Sequence, residues 1–244
     1  MNPVLSREQF NRLPKQMMYK GRAFNAVLWR LRLDDGDWVV KDFSSTPWWY
    51  RWTVIPLAVG HECRVVQRLQ GLVGVPLDPF QIDACAWGYR LIEGDILHVQ
   101  DGTRCRVDFF ERLERVVQSC HQRGVVHLDL RNARNILVDA QDRPHLIDFQ
   151  SALFTRLFPS GIRRRLERID LSGVYKHWLS RDAESLGAAR ENVLYWQLRL
   201  RHWWPWRGYR LPGRRRLYEA ETHLLERHRQ RNGRTEMSAS ETGL

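Results

Sequence analysis

The feature that most constrains this chain is a polar segment held between short apolar runs. It extends from His127 to Asn135, follows the pair Val125-Val126, and is followed by the apolar run ILV. The polar turn DAQDRP then leads into another apolar run, HLIDF. Short apolar runs bounded by polar turns predict β-strands, so we expect a strand, a loop, a strand, a tight turn and a strand. The loop would then lie on a fixed β scaffold.

Polar side chains of this stretch have the chemistry that phosphoryl transfer needs. The loop contains the Asp129 carboxylate and asparagine amides, and Asp148 lies at the end of HLIDF. One carboxylate can orient and deprotonate an attacking hydroxyl, while a second carboxylate and an amide oxygen hold Mg²⁺ against phosphates. Mg²⁺ prefers such hard oxygen ligands. We expect His127 to fix the loop backbone rather than to transfer protons.

A lysine stands in the middle of an apolar strand farther upstream. Lys41 lies within VVKDF, and a buried ammonium group is costly unless it is paired. Glu62 follows at the start of a predicted helix, and a Lys–Glu ion pair that steadies nucleotide phosphates explains both residues. Only four of the 39 basic residues are lysines, so the general abundance of basic residues does not explain a lysine at this position.

The first part of the chain is predicted to be rich in strands. Residues 23–43 alternate around the turn DDGD and predict a hairpin. The aromatic stretch 44–60 predicts an irregular segment, and a short helix is predicted over 61–70. Two short apolar runs within 80–92 predict further strands, with a turn at EGD.

The second part of the chain is predicted to be mainly helical. Apolar residues at helical spacing predict a helix over 106–122, which Gly124 ends. From about residue 156 the pattern is amphipathic and helical, with glycine and proline breaks. Residues 233–244 are small and polar and predict a disordered tail.

Composition excludes several classes of protein. With 244 residues, 43% of them hydrophobic, the chain can bury a core, and no apolar run approaches the ~20 residues of a membrane-spanning helix. The N-terminus has neither the apolar core nor the cleavage site of a secretory signal. The isolated cysteines (Cys63, Cys85, Cys105 and Cys120) indicate structural thiols in a reducing compartment and no metal site.

The positive charge is concentrated in the last third of the chain. The formal net charge is +11; residues 1–155 carry a net of +2, residues 156–234 a net of +11, and the last ten residues a net of −2. This asymmetry favours an anionic partner of the C-terminal part, such as lipid phosphate, nucleic acid or a phosphorylated substrate. A solvated arginine-rich face is the alternative.

Tryptophans and arginines cluster in a way that is typical of membrane–water interfaces. The clustered side chains are Trp48, Trp49 and Trp52, the group Trp196, Trp203, Trp204 and Trp206, and the arginines Arg163, Arg164, Arg165 and Arg168. A buried aromatic cluster and a solvated helix face are the alternatives. Stacking on single-stranded nucleic acid is the less favoured interpretation, because no RNA-binding motif accompanies the tryptophans. The arginines could also hold an anionic sugar or lipid phosphate.

In order and spacing, the motifs over residues 20–155 resemble those of the protein-kinase-like superfamily. Lys41 resembles the lysine of its third strand and Glu62 the glutamate of its helix C. His127-Leu128-Asp129 resembles the catalytic loop, and Asp148-Phe149 the start of the DFG motif. The resemblance implies that ATP and Mg²⁺ are the cofactors, that Asp129 acts on the attacking hydroxyl, and that Asp148 is a metal ligand.

The resemblance also assigns the remaining nucleotide contacts. The segment 19–27, with Gly21 and Val27, resembles the nucleotide loop, and the segment 91–94, with Ile92 and Glu93, resembles the hinge between lobes. Only one glycine is present in the loop, so Lys20 or Arg22 is expected to replace backbone contacts by charge. Arg131 lies where many kinases carry a lysine near the γ-phosphate, a role we weigh equally against a solvated arginine.

Several positions depart from the superfamily pattern. Asn135 lies six residues after Asp129, where most members have five; it is preferred as the metal ligand because it opens NILV, and Asn132 is the competitor. Gln150 replaces the glycine of the DFG motif, and Leu128 replaces the usual arginine. No Ala-Pro-Glu segment follows Asp148, so a peptide-binding activation segment is absent from the sequence.

Within the superfamily, the chain is most similar to the bacterial lipopolysaccharide kinases and RIO-like kinases. The phrases that carry this similarity are HECRVVQRLQGLVGVP, GVVHLDLRNARNILVDAQDRPHLIDFQSAL and DLSGVYKHWLSRD. It implies a Gram-negative source and phosphorylation of a sugar of the lipopolysaccharide core, or of a related membrane glycolipid, at the inner face of the inner membrane. The alternatives are a RIO-like serine/threonine protein kinase and a non-catalytic nucleotide-binding membrane scaffold.

The expected fold is α+β and bilobal. Residues 1–92 would form a small, β-rich N-lobe with one helix, and residues 93–232 a larger helical C-lobe, followed by the tail 233–244. The expected partners are ATP, an anionic glycolipid or sugar acceptor and the cytoplasmic membrane surface, with nucleic acid disfavoured and the oligomeric state open.

Overall fold

A computed structural model describes residues 5–21, 23–97, 108–202 and 221–226, without the side chains of residues 201 and 202. The chain is a mixed α and β protein, as the sequence predicts. Its α-helices are α1 (Arg7–Arg12), α2 (Trp48–Thr53), α3 (Ile55–Arg68), α4 (Phe109–Gln122), α5 (Ser160–Arg181), α6 (Ala183–Leu186) and α7 (Ala188–His202), and residues 221–226 are also helical. Its strands are β1 (Lys15–Tyr19), β2 (Val27–Leu33), β3 (Gly36–Asp42), β4 (Phe80–Asp83), β5 (Ala86–Arg90), β6 (Asp95–Ile96), β7 (Val125–Val126), β8 (Ile136–Val138), β9 (Pro144–Leu146) and β10 (Leu153–Phe154).

A five-stranded antiparallel sheet in the order β1-β2-β3-β5-β4 dominates the first part of the chain. The predicted hairpin is confirmed as β2 and β3, which pair Leu31 with Trp38 across the turn. Alternate residues of these strands point to one face, so Leu31, Trp38 and Val40 share a core with Phe10 of α1. The predicted strands within 80–92 are confirmed as β4 and β5.

The prediction of an irregular segment over 44–60 is wrong. This stretch contains α2 and the first turns of α3, so the helix predicted to begin at residue 61 begins at Ile55 and has 14 residues. Pro56 does not break this helix, because it lies in the first turn of α3, where its missing N–H has no intrahelical partner to lose. The buried face of α3 then runs through Val59, Glu62 and Val66 at helical spacing.

The N-terminal elements were not predicted, although the sequence carries a signal for the first of them. Ser6 and Gln9 form a capping box: the Ser6 hydroxyl accepts from the Gln9 N–H, and the Gln9 side chain accepts from the Ser6 N–H. Such reciprocal bonds satisfy two donors at a helix start. They begin α1, whose Phe10 is buried.

The scaffold around the polar loop is confirmed. α4 begins at Phe109, and Gly124, with a φ of +76°, follows its C-cap. β8 and β9 pair antiparallel across the DAQDRP turn, and β6 adds to β8 at the predicted EGD turn. β7 pairs with β10. The polar loop therefore lies between two short strands, each paired with a neighbour.

The chain divides into two compact units. The first comprises residues 1–128 and 133–158, and the second comprises Asp129–Asn132 and residues 159–244. The lobe boundary predicted at 92/93 falls inside the first unit and stays a prediction. From Ser160 onward the described residues of the second unit are mainly helical, as predicted, with α5 packed on α6 and α7. The tail 233–244 lies outside the described residues.

Among the helices that the structure describes, none combines the length and the apolar character needed to cross a bilayer.

Candidate active site

Lys41 is the centre of a buried polar cluster in the first unit. It lies on β3, opposite Leu28 of β2 and Trp87 of β5, so it is enclosed by strands on both sides. Its Nζ donates to Glu62 Oε1 at 2.6 Å and to Asp148 Oδ1 at 2.8 Å. The ammonium also lies 5.8 Å from the centre of the Trp87 ring. The expected Lys41–Glu62 ion pair is present, and Asp148 is its third member.

The electrostatics of the cluster keep Lys41 charged. Burial alone would lower the pKa of Lys41, but the Glu62 and Asp148 carboxylates outweigh burial and raise it above its ordinary value. Lys41 in turn lowers the pKa of Asp148. Burial raises the pKa of Glu62, which is only 2% exposed, and Lys41 opposes that rise. A permanently charged ammonium within reach of a partly exposed carboxylate is suited to binding an anionic group such as phosphate.

Each member of the cluster comes from a different element. Glu62 is on α3, whose buried face faces the sheet. Asp148 follows β9 and has a φ of +65° and a ψ of +66°, a left-handed backbone that is uncommon outside glycine and that occurs frequently at functional sites. The aromatic ring of Phe149 next to it is fully buried, and its centre is 4.7 Å from that of His127.

The β8–β9 pairing brings Asn135 and Asp148 to the same end of one hairpin. The Ile147 N–H donates to the Asn135 carbonyl at 3.0 Å, and Asp148 is the next residue. Asp148 Oδ1 accepts from Lys41, whereas its second oxygen has no hydrogen-bond partner among the described residues. One carboxylate and one amide oxygen are hard ligands of the kind Mg²⁺ takes when phosphate supplies the others, so the donor set fits Mg²⁺.

His127 fixes backbone, as expected. Its Nε2 is 3.0 Å from the carbonyl oxygen of Ile147, the residue before Asp148. Because a carbonyl only accepts, Nε2 carries the proton and donates it. This bond joins β7 to the end of β9 and steadies the Asp148 backbone.

Asp129, Arg131 and Asn132 belong to the second unit. Leu128, which precedes them, has a φ of +65°. Arg131 is half-buried, and its Nη2 donates to Glu221 Oε1 at 2.6 Å. Glu221 was not predicted from the sequence, because it lies 90 positions later in an arginine-rich stretch, where no pattern distinguishes it from the neighbouring glutamates Glu219 and Glu226.

The segment around Gly21 and Val27 forms a tight loop in the first unit. A Cβ at Gly21 would lie 2.3 Å from the carbonyl oxygen of Ala26 and 2.5 Å from that of Asn25. Closure of the loop on itself therefore requires glycine at this position, whether or not a ligand binds. Val27 is half-buried, begins β2 and pairs with Asp42. Arg22 lies outside the described residues.

Ile92 and Glu93 line a cavity of about 620 Å³ in the first unit. Its other walls are the segment 71–77 and the β8–β9 turn, including Asp139 and His145. Glu93 is exposed and lies 3.4 Å from Arg30. None of the three members of the Lys41 cluster is among the residues that line this cavity.

The cysteines and histidines of the described residues form no metal centre. No group of three or more His, Cys, Asp or Glu side chains there could hold a metal ion. Cys63, Cys85 and Cys120 are free thiols, and Cys105 lies outside the described residues. Burial raises the pKa of the Cys63 thiol to about 11, which makes it unreactive and is consistent with a structural role.

Two histidines are half-buried, as predicted. His61 Nε2 lies 2.7 Å from the Ala152 carbonyl, and His145 Nε2 lies 3.0 Å from Asp139 Oδ2. Both contacts are with nearby protein groups, so these side chains have structural partners.

The tryptophans of α2 lie on the surface. Trp48, Trp49 and Trp52 are 71%, 49% and 76% exposed, and α2 has no buried residue, so the alternative of a buried aromatic cluster is wrong for these three. Trp196 on α7 is also exposed, while Trp203, Trp204 and Trp206 lie outside the described residues. The arginines Arg163, Arg164, Arg165 and Arg168 are exposed on α5.

A comparison with protein-family models found none that matches the chain, and a comparison with curated proteins also found no match.

Proposed function

We propose that this protein is a Mg²⁺-dependent kinase with a bilobal, protein-kinase-like fold that transfers the γ-phosphate of ATP to a hydroxyl. The observation that carries the proposal is the buried lysine of β3, held at 2.6 Å and 2.8 Å by carboxylates from two other elements. A buried ion pair rarely adds net stability compared with apolar side chains of similar size. A need for a positive charge at residue 41 explains the presence of this buried ion pair in functional terms.

Each residue has a defined role in the proposed reaction. Lys41 binds the α- and β-phosphates, and Glu62 keeps the ammonium in place. Asn135 and Asp148 would hold Mg²⁺, which supplies charge stabilisation to the phosphates when bound. Asp129 orients the acceptor hydroxyl and accepts its proton. Gly21 and Val27 form the loop over the nucleotide, and Ile92 and Glu93 the hinge segment.

The preferred acceptor is a sugar of the lipopolysaccharide core or a related membrane glycolipid. Exposed arginines at the start of α5 support an anionic acceptor, since guanidinium groups bind phosphate and carboxylate in a bidentate manner. Arg163 is 3.7 Å from Glu167, and Arg164 donates to the Ser160 carbonyl of its own helix.

The surface of α2 supports contact with an anionic membrane. Its three tryptophans and the neighbouring Leu57, which is 72% exposed, form an apolar surface. The chain has no aspartate or glutamate between Asp42 and Glu62, and Arg51 lies within α2. Exposed indoles next to a positive charge, in a stretch of sequence without carboxylates, suit the interface of an anionic bilayer.

Two linked measurements test the proposed reaction. Calorimetry with Mg²⁺ and ATP should show binding that Asp148→Asn weakens at least tenfold and that Asp95→Asn, an exposed carboxylate on β6, leaves unchanged. γ-Labelled ATP should then transfer its label to a lipopolysaccharide fraction. Label in protein would support the protein-kinase alternative, and binding without any transfer would support the scaffold.

Sedimentation with vesicles tests the membrane contact. The protein should bind vesicles that contain anionic lipid at low salt and lose that binding steeply as salt rises. Trp48→Ala with Trp52→Ala should weaken binding at least fivefold, while Val73→Ala, which removes an exposed apolar residue elsewhere, should not. Equal binding by the double variant would remove α2 from the interface.

A further inference from the structure

The backbone of the segment Asp129–Asn132 is held at three consecutive carbonyl groups. The Asp129 carbonyl accepts from the Asn132 N–H at 3.3 Å. The Leu130 carbonyl lies 3.0 Å from His177 Nε2, and the Arg131 carbonyl accepts from Lys176 Nζ at 3.3 Å. Both of these side chains belong to α5 and are buried. Two side chains of α5 therefore fix the peptide groups that follow Leu130 and Arg131, one and two residues after Asp129.

The backbone of α5 also lies directly against this segment. A Cβ at Gly173 would lie 2.7 Å from the Leu130 carbonyl carbon and 2.9 Å from the Arg131 nitrogen, so only glycine allows this approach. Burial lowers the pKa of His177 to about 3, so its ring is neutral, and its Nε2 carries the proton that is donated to the carbonyl. These contacts fix the backbone of the segment. The side chain of Arg131 is held separately, by Glu221.

Glu221 holds that side chain from the C-terminal part of the chain. Arg131 Nη2 and Glu221 Oε1 are 2.6 Å apart, and the two side chains are 23% and 12% exposed. Leu224, in the same helical stretch, is completely buried and anchors it in the second unit. A charge pair with this little solvent around it orders both partners, because either charge alone would be left desolvated.

We propose that Glu221 is a positioning residue for the candidate phosphoryl-transfer site. Its ion pair holds Arg131, so that the segment Asp129–Asn132 keeps one conformation and Asp129 is preorganised to orient the acceptor hydroxyl. Glu221 then supports the candidate site through Arg131, although it lies 90 positions beyond that residue. This inference rests on the proposed function, because it assigns a role to Glu221 in that reaction.

The test compares Glu221→Gln with Glu226→Gln, which changes an exposed carboxylate five residues later. In the full-length protein, Glu221→Gln should lower kcat for phosphate transfer about tenfold, a typical effect of losing a supporting contact, and change the KM for ATP less than twofold. Glu226→Gln should change neither constant, and Glu221→Asp, which keeps the charge, should recover part of kcat. An unchanged kcat in Glu221→Gln would overturn the inference, and so would an equal loss in Glu226→Gln.

Hydrogen exchange of the peptide that spans residues 127–136 separates this inference from the proposed function. Glu221→Gln should raise exchange in this peptide at least tenfold and leave α3 unchanged, while Glu226→Gln should match the wild type. Unchanged exchange would overturn the positioning role. If the wild type transfers no phosphate, the proposed function fails, and the exchange result still decides whether Glu221 orders the segment. If Glu221→Gln does not fold, Glu221→Asp decides by the same two measurements, with intermediate values expected and wild-type values overturning the inference.

Discussion

Removing the ammonium of Lys41 should destabilise the protein by leaving a buried carboxylate without its partner. The Lys41 side chain is 9% exposed and that of Glu62 is 2% exposed. Breaking a buried pair by removing one partner costs about 3–5 kcal/mol. The contact with the Asp148 side chain, which is 43% exposed, adds at most about 1 kcal/mol because solvent screens it. We therefore expect Lys41→Met to lower the free energy of unfolding by about 3–5 kcal/mol at neutral pH.

The pH dependence of this loss has a definite sign. Burial raises the pKa of Glu62, and in Lys41→Met no ammonium opposes that rise. A carboxyl with a raised folded pKa stabilises the fold below its unfolded pKa, and that contribution is lost as pH rises through the folded value. The deficit of Lys41→Met should therefore be smallest near pH 4 and grow toward pH 7, since an unfolded glutamate titrates at about 4.3.

A double variant separates the structural cost from the functional one. In Lys41→Met with Glu62→Leu both charges are gone, so most of the lost stability should return, to within about 1–2 kcal/mol of the wild type. Nucleotide binding should not return. Urea unfolding followed by tryptophan fluorescence measures these differences, and the exposed Lys20→Met is the matched control. A loss under about 1 kcal/mol in Lys41→Met, or a double variant as unstable as the single one, would show that the buried pair does not contribute as described.

Two further predictions concern the scaffold around the cluster. Gly21→Ala should destabilise the fold by about 1–3 kcal/mol, because the added methyl group meets two carbonyl oxygens. Gly60→Ala in α3, where the added methyl group meets open space, should instead stabilise the fold by about 0.5–1 kcal/mol. Thermal unfolding compares the two variants, and equal effects would contradict the described loop. Asp139→Asn should be less stable than the wild type at pH 7, and the deficit should begin to shrink only as the pH falls below about 4, where an unfolded aspartate binds its proton. Burial alone would raise the pKa of Asp139, but hydrogen bonds from His145 and Arg143 lower it, so its contribution is present above the ordinary carboxyl pKa and is lost as pH falls. Urea unfolding between pH 2 and pH 7 measures this difference, and a deficit that stays the same down to pH 2 would show that the charge of Asp139 is not its source.

Some parts of the site could be predicted from the sequence, because a few neighbouring residues are enough to indicate them. An ammonium in the middle of an apolar strand needs a counter-charge, so the position of Lys41 alone is enough to predict an acidic partner. The strands around the polar loop were predicted because short apolar runs and turns are local patterns, and β7, β8 and β9 confirm them.

Other parts could not be predicted, for physical reasons that the residues show. Read from the sequence alone, Pro56 suggests that a helix is interrupted. The energetic cost of a proline depends on its position in the helix, and Pro56 lies in the first turn of α3, where that cost is small. The role of Gly21 depends on how close two carbonyl groups approach, which no spacing reveals. Glu221 is far from Arg131 in sequence, so no local pattern indicates that the two side chains meet.

Phosphate transfer by the purified protein is the direct test of the proposed kinase activity. The protein would be incubated with Mg²⁺, γ-labelled ATP and a lipopolysaccharide core fraction, and the product analysed by mass spectrometry. We expect a glycolipid that carries one added phosphate, formed at a rate that falls at least a hundredfold in Asp129→Asn, an order typical of losing a general base. Absence of labelled product with the wild type, or equal rates for wild type and Asp129→Asn, would contradict the proposed activity.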